Sequence, residues 1–194
     1  MKVGLFITIT WLLLGAVMVA GPVLSSSPSL GDDLIRNTIR LALLYYTIAL
    51  TLVLRSQPPD WQKHSNKIRL ARLCWTLAWV TYLIHLAMAF HFAHHWSHAE
   101  AMRHTEEVSG VSEGIFVSHL FTLVWTADVV SWWLWPSWYA RRPAWIDWLI
   151  HGFMLFVVFN ATVVFESGWI RWAGVMMFVW LGAATWFRRR AAAS

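Results

Sequence analysis

Four of the chain's nine histidines fall within the eight residues 91–98, HFAHHWSH. A neutral imidazole is a good ligand for zinc, copper, iron and nickel. If the apolar segment before this stretch continues as a helix past Ala93, then at about 100° per residue His91, His94, His95 and His98 share an arc of about 100°. His91/His95 and His94/His98 become i,i+4 pairs, the separation at which two rings chelate one ion from one helix face. His119, at the start of the next apolar segment, is a fifth candidate ligand. Glu106, Glu107 and Glu113 in the intervening stretch, and His85 about 10 Å deeper by helix rise, are candidate additional ligands or proton shuttles. Cys74 is the one cysteine, which excludes a disulfide framework and any multi-cysteine zinc or iron–sulfur site. The donor set therefore suits zinc, copper or iron without thiolate, and histidines on facing helices would equally suit haem b. A pH-responsive patch and plain interfacial capping are the competing readings.

The spacing His91-x-x-His94-His95 resembles one histidine box of the membrane-bound di-iron hydroxylases and desaturases. That family uses several such boxes at a cytoplasmic site. Here no second or third box follows, and the resemblance covers five of 194 residues. It implies that such spacing can serve iron, and carries no activity over.

Other polar residues lie inside apolar segments, where they are costly and default to functional hypotheses. Asp128 and His151 fall at similar depth on two segments joined by a short connection, and so form a candidate buried pair. Its plain form is a structural hydrogen bond; its sharper form is a proton step. Asn160 is expected to bridge helices. Arg36 and Arg40, in the first turns of the second segment, are candidate anion contacts.

These residues must be positioned by membrane helices. The chain is 58% hydrophobic and 13% charged, with sixteen tryptophans. A soluble domain of this size would need more polar surface. Six apolar spans are predicted, at about residues 3–24, 34–54, 70–93, 115–135, 145–165 and 169–187, with an outer loop at 94–114. Each is long enough to cross a hydrocarbon core of about 30 Å. They are apolar nearly all round, without the period-two pattern of a membrane barrel, so helices are the reading. A cleaved signal peptide is the rival for the first span, but its apolar stretch is long and Met18 is a poor residue at −3.

Charge orients the bundle. Lys2, Arg55, Lys63, Lys67, Arg69, Arg72, Arg141, Arg142 and Arg188 to Arg190 fall on one side, eleven of fifteen basic residues. Asp32, Asp33, Glu100, Glu106, Glu107, Glu113 and Glu166 fall on the other. The positive-inside rule puts both termini in the cytoplasm, and the expected location is a bacterial inner membrane. The net charge of +5 thus anchors spans and does not indicate nucleic acid. Tryptophans near 132–148 are expected to form an interfacial belt.

The expectation is one all-α domain, residues 1–194, a polytopic bundle of six transmembrane helices in the lipid bilayer. Its function would be that of a membrane metalloprotein with a histidine site at the outer face, in enzymatic form an oxidoreductase or metal-dependent enzyme on a lipid-soluble substrate. The alternatives are a b-type haem electron-transfer protein and a non-catalytic subunit working with other membrane subunits. Residue types do not decide between enzyme and subunit. A transporter fits less well, because the one proline inside a span is Pro22, near an end.

Overall fold

A computed structural model describes residues 2–56, 60–61 and 65–193, apart from the side chains of 189 and 191–193; Lys63 lies outside these. The described residues form helices and no strand. The long helices are α1 (Lys2–Leu24), α2 (Leu30–Leu54), α3 (Asn66–Met88, followed by a π-turn over Ala89–Ala93), α5 (Gly114–Leu134), α7 (Ala144–Phe159, with a π-turn over Asn160–Val164) and α8 (Gly168–Ala193). Two short helices, α4 (His98–Ser109) and α6 (Pro136–Tyr139), lie in the connections. Six helical stretches are long and apolar enough to cross a membrane, and they coincide with the six predicted spans to within a few residues.

The predicted outer loop differs from what is found, because twelve of its residues form a helix of their own. The local reason is a side-chain cap. Ser97 precedes α4 and accepts a hydrogen bond from the Glu100 backbone N–H at 3.3 Å. The sequence S-x-x-E is the pattern that satisfies orphan donors at a helix start.

The chain divides into two compact units. The first comprises residues 1–52 and 66–101. Its centre is α2 against α3, where Ala49, Ala71, Ala78 and Cys74 are fully buried. The Tyr46 and Trp75 rings fill the space between, their centroids 5.3 Å apart. Polar side chains tie this unit together. Trp11 Nε1 donates to Thr81 Oγ1 at 2.8 Å, and Asn37 Nδ2 to the Met18 carbonyl at 3.0 Å. At the far end of α3, Phe92 lies against Gly31, where a β-carbon would come within 2.9 Å of the Phe92 side chain.

The second unit comprises residues 53–65 and 102–194. Phe121, Trp125, Val129 and Trp132 of α5 are buried with Met154 and Val158 of α7 and Leu181 and Ala184 of α8. Helix α8 meets the second π-turn through Gly174. A β-carbon there would lie 2.8 Å from Thr162 Oγ1 and 2.9 Å from the Thr162 carbonyl. Only glycine allows that approach.

Candidate functional site

The histidine segment does not continue as a helix. The turn over Ala89–Ala93 widens to π geometry, with the His94 N–H bonded to the Ala89 carbonyl at 3.1 Å. The chain then reverses: the Trp96 N–H reaches back to the Phe90 carbonyl at 2.8 Å. His95 and Trp96 both take the left-handed conformation, at φ 47° and 59°. The expected single arc of four imidazoles is therefore not formed. His91 belongs to the π-turn, His94 to its end, His95 to the reversal, and His98 to the first turn of α4.

The side chains follow their backbones. His91, His95 and His98 are exposed and His94 is half-buried. His91 Nδ1 accepts from Trp96 Nε1 at 3.4 Å, and the His94 ring meets the edge of Phe90 with centroids 5.5 Å apart. His119 belongs to the second unit and packs edge-on to Phe116. Glu106, Glu107 and Glu113 are exposed. Glu107 pairs with Arg103 at 2.9 Å, and Glu113 accepts from Ser112 at 3.1 Å. Among the described residues, no three His, Cys, Asp or Glu side chains come close enough to share a metal ion.

His85 lies two turns before the histidine segment, in α3. Its Nδ1 donates to the Ile35 carbonyl of α2 at 2.9 Å, since a carbonyl can only accept. That fixes the tautomer and ties α3 to α2. Asn160 was expected to bridge helices. It is half-buried and donates to the Phe156 carbonyl of its own helix at 2.8 Å, and no hydrogen bond carries it to another helix among the described residues.

The best-organised polar site lies in the second unit, at the connection between α5 and α7. Asp128, in α5, is buried. Its Oδ1 accepts from Arg142 Nη1 at 2.7 Å, and its Oδ2 from the Tyr139 hydroxyl at 3.0 Å. Arg142 also binds Asp147, in the first turn of α7, donating from Nε at 2.6 Å. Its guanidinium lies 3.7 Å from the centroid of the Tyr139 ring. Tyr139 stacks on Trp132 at 4.6 Å with planes 3° apart, and Trp61 stacks on both. One cation thus links two carboxylates beneath an aromatic cover. His151 lies close enough to Asp128, Arg142 and Asp147 to feel each charge. Asp128 is also hydrogen-bonded by Arg142 and Tyr139, which sequence reasoning did not assign to it. Arg142 was expected as an interfacial anchor and is instead 7% exposed.

The electrostatics follow from this geometry. Burial, then the neighbouring Asp128 charge, push the Tyr139 phenol well above its ordinary pKa. For Arg142, burial alone would lower the pKa, but its acidic neighbours and the hydrogen bond to Asp128 hold it raised. A buried charge persists when it is paired and its remaining hydrogen-bonding groups are satisfied. The arrangement is suited to holding the α5–α7 connection in one shape. It offers neither an activated nucleophile nor a general base with an open approach.

No protein-family model, no curated protein and no solved structure matches this chain.

Proposed function

We propose that the protein is an integral membrane protein acting as a non-catalytic subunit, a helical scaffold within a larger membrane assembly. The observation that carries this reading is how the polar groups inside the spans are used. His85, Asn37, Trp11 and Thr81 join helices of the first unit, and Asp128 is consumed by Arg142 and Tyr139 in the second. Each would mark a reaction path if it lined an open polar cavity; each instead braces a helix. Meanwhile α1 has no buried residue along its 23 positions, with Leu5 at 63%, Leu13 at 60% and Val17 at 69% exposure. Lipid and partner helices together would cover such a surface.

The test uses a photoreactive amino acid at Leu13 or Val17 in the intact chain, in its native membrane. Discrete protein–protein adducts at α1 positions are expected. Labelling of lipid alone at every α1 position would overturn the subunit reading and leave a free-standing membrane protein.

A second reading has one observation in its favour. His95 and Trp96 are consecutive non-glycine residues in the left-handed region, and such strain collects at functional sites. Three exposed imidazoles, His91, His95 and His98, surround it. In this reading the segment's own imidazoles hold zinc, copper, iron or haem b. Elemental analysis and an absorption spectrum of purified protein test it. Stoichiometric metal or a Soret band that is lost in His94→Ala/His98→Ala supports it, and neither signal in protein purified from metal-replete cells removes it.

A further inference from the structure

The first unit contains an apolar groove that the subunit reading does not use. It has a volume of about 270 Å³ and lies among α1, α2 and α3. Trp11, Gly15 and Val19 mark its α1 wall, Leu41 its α2 wall, and Ile84 its α3 wall. From Trp11 to Val19 is about 12 Å of helix rise, most of one leaflet of a hydrocarbon core about 30 Å thick. The floor is dry for a definite reason. The Trp11 indole N–H is spent on Thr81, and the Thr81 hydroxyl on the Leu77 carbonyl at 2.7 Å.

One asparagine, Asn37, borders the groove, and its Oδ1 accepts from Arg40 Nη1 at 3.2 Å. Arg36 lies one turn from Arg40 on the same face of α2 and is exposed. Both arginines occupy the first turns of a membrane-length helix. Their long stems lie along apolar surface while the charged heads reach for the interface. That is the depth at which lipid phosphates lie. A dry slot lined by apolar side chains, with Arg40 held beside it by Asn37 and Arg36 one turn nearer the helix start, defines the ligand by charge and by shape.

We propose that this groove holds one acyl chain of an anionic glycerophospholipid whose phosphate is taken by Arg36 and Arg40. A guanidinium presents paired N–H donors that match phosphate oxygens. The site goes beyond the subunit reading and does not depend on it.

The experiment is lipid retention by the full chain after extensive delipidation in mild detergent, read by native mass spectrometry. The probes are phosphatidylglycerol and phosphatidylcholine of matched chains. One retained lipid is expected, with phosphatidylglycerol preferred by about fivefold for each arginine, as a cation near the surface attracts an anionic lipid. Arg36→Gln/Arg40→Gln should abolish the preference. Gly15→Phe should remove retention of both lipids, since Gly15 lines the groove and a β-carbon there would meet only Leu41, at 3.7 Å. Should Gly15→Phe fail to fold, the unaltered protein carries the test: a phosphatidylglycerol with a diazirine in its chain should label Leu12, Ala16 or Val19. Equal retention of the two lipids by wild type, retention unchanged in a folded Gly15→Phe, or diazirine labels scattered over other helices would overturn the proposal.

Discussion

The histidine segment at 91–98 and the Asp128–Arg142 cluster both place polar side chains at the end of a membrane-length helix, yet their physics is opposite. The imidazoles are mostly exposed, on a backbone that widens and reverses, with two residues at positive φ. The carboxylate and guanidinium are buried, close-paired and covered by stacked rings. Clustering of residue types along the chain pointed to the first region. Partnering in space selects the second as the better-built site. A cluster in sequence becomes a site only if the backbone between its members stays regular, whereas a lone buried charge must find a partner wherever the chain runs.

The largest expected effect comes from breaking that pairing. Arg142→Ala leaves Asp128 charged and buried and should destabilise the second unit by about 3–5 kcal/mol, seen as a large drop in the thermal midpoint of detergent-solubilised protein. Asp128→Leu combined with Arg142→Met removes both charges and should recover most of the loss. If Arg142→Ala melted like wild type, the cluster would not be the brace described above. The equivalent disruption of the histidine segment, His94→Ala/His98→Ala, should cost far less, which is what separates the two regions.

Next in size is Tyr139→Phe. It removes the hydroxyl that donates to Asp128 at 3.0 Å but keeps the stack on Trp132. A hydrogen bond to a charged group contributes about 1.5–3 kcal/mol, so a loss in that range is expected in the same melt. This residue also gives the cluster a pH signature. The phenol's folded pKa is raised well above its ordinary value. The stability it contributes is fully present below the unfolded pKa of about 10 and is lost as pH rises through the folded value. Wild type should therefore lose stability in strong alkali more steeply than Tyr139→Phe. Parallel alkaline profiles would detach the phenol from the ion pair.

What the sequence revealed, and what it concealed, follows the same division. The six helical spans were legible because each is a continuous apolar run of sufficient length. The interruption at His94–Ser97 was not, since neither glycine nor proline marks it; the signal present was Ser97-x-x-Glu100, a helix start placed where continuity had been assumed. The partner of Asp128 was hidden differently. Arg142 stands beside Arg141 and before Pro143, among basic residues that flank spans, and charge counting treats all of these as anchors. A span that carries a carboxylate and ends a few residues before an arginine poses a pairing question that counting does not ask. His85 and Asn37 were legible as polar intrusions, but their carbonyl partners Ile35 and Met18 are backbone atoms, invisible to any argument from residue type.

The smallest effect distinguishes strain that serves a ligand from strain that merely closes a turn. His95→Gly places the residue that tolerates positive φ at a position where φ is 47°. A side chain there costs about 1–2 kcal/mol in the left-handed region, and glycine's greater freedom in the unfolded chain offsets about 0.4–1 kcal/mol of the relief. The expected net result is a gain of about 0.5–1 kcal/mol in the first unit. If the segment only reverses the chain, that gain comes with no change in metal content. If His95 is a ligand, the same substitution raises stability without metal and lowers metal retention, a stability-for-function exchange that strain at a working site predicts. A loss of stability with no metal present would contradict both, because it would mean that the His95 side chain makes a contact worth more than the strain of its backbone.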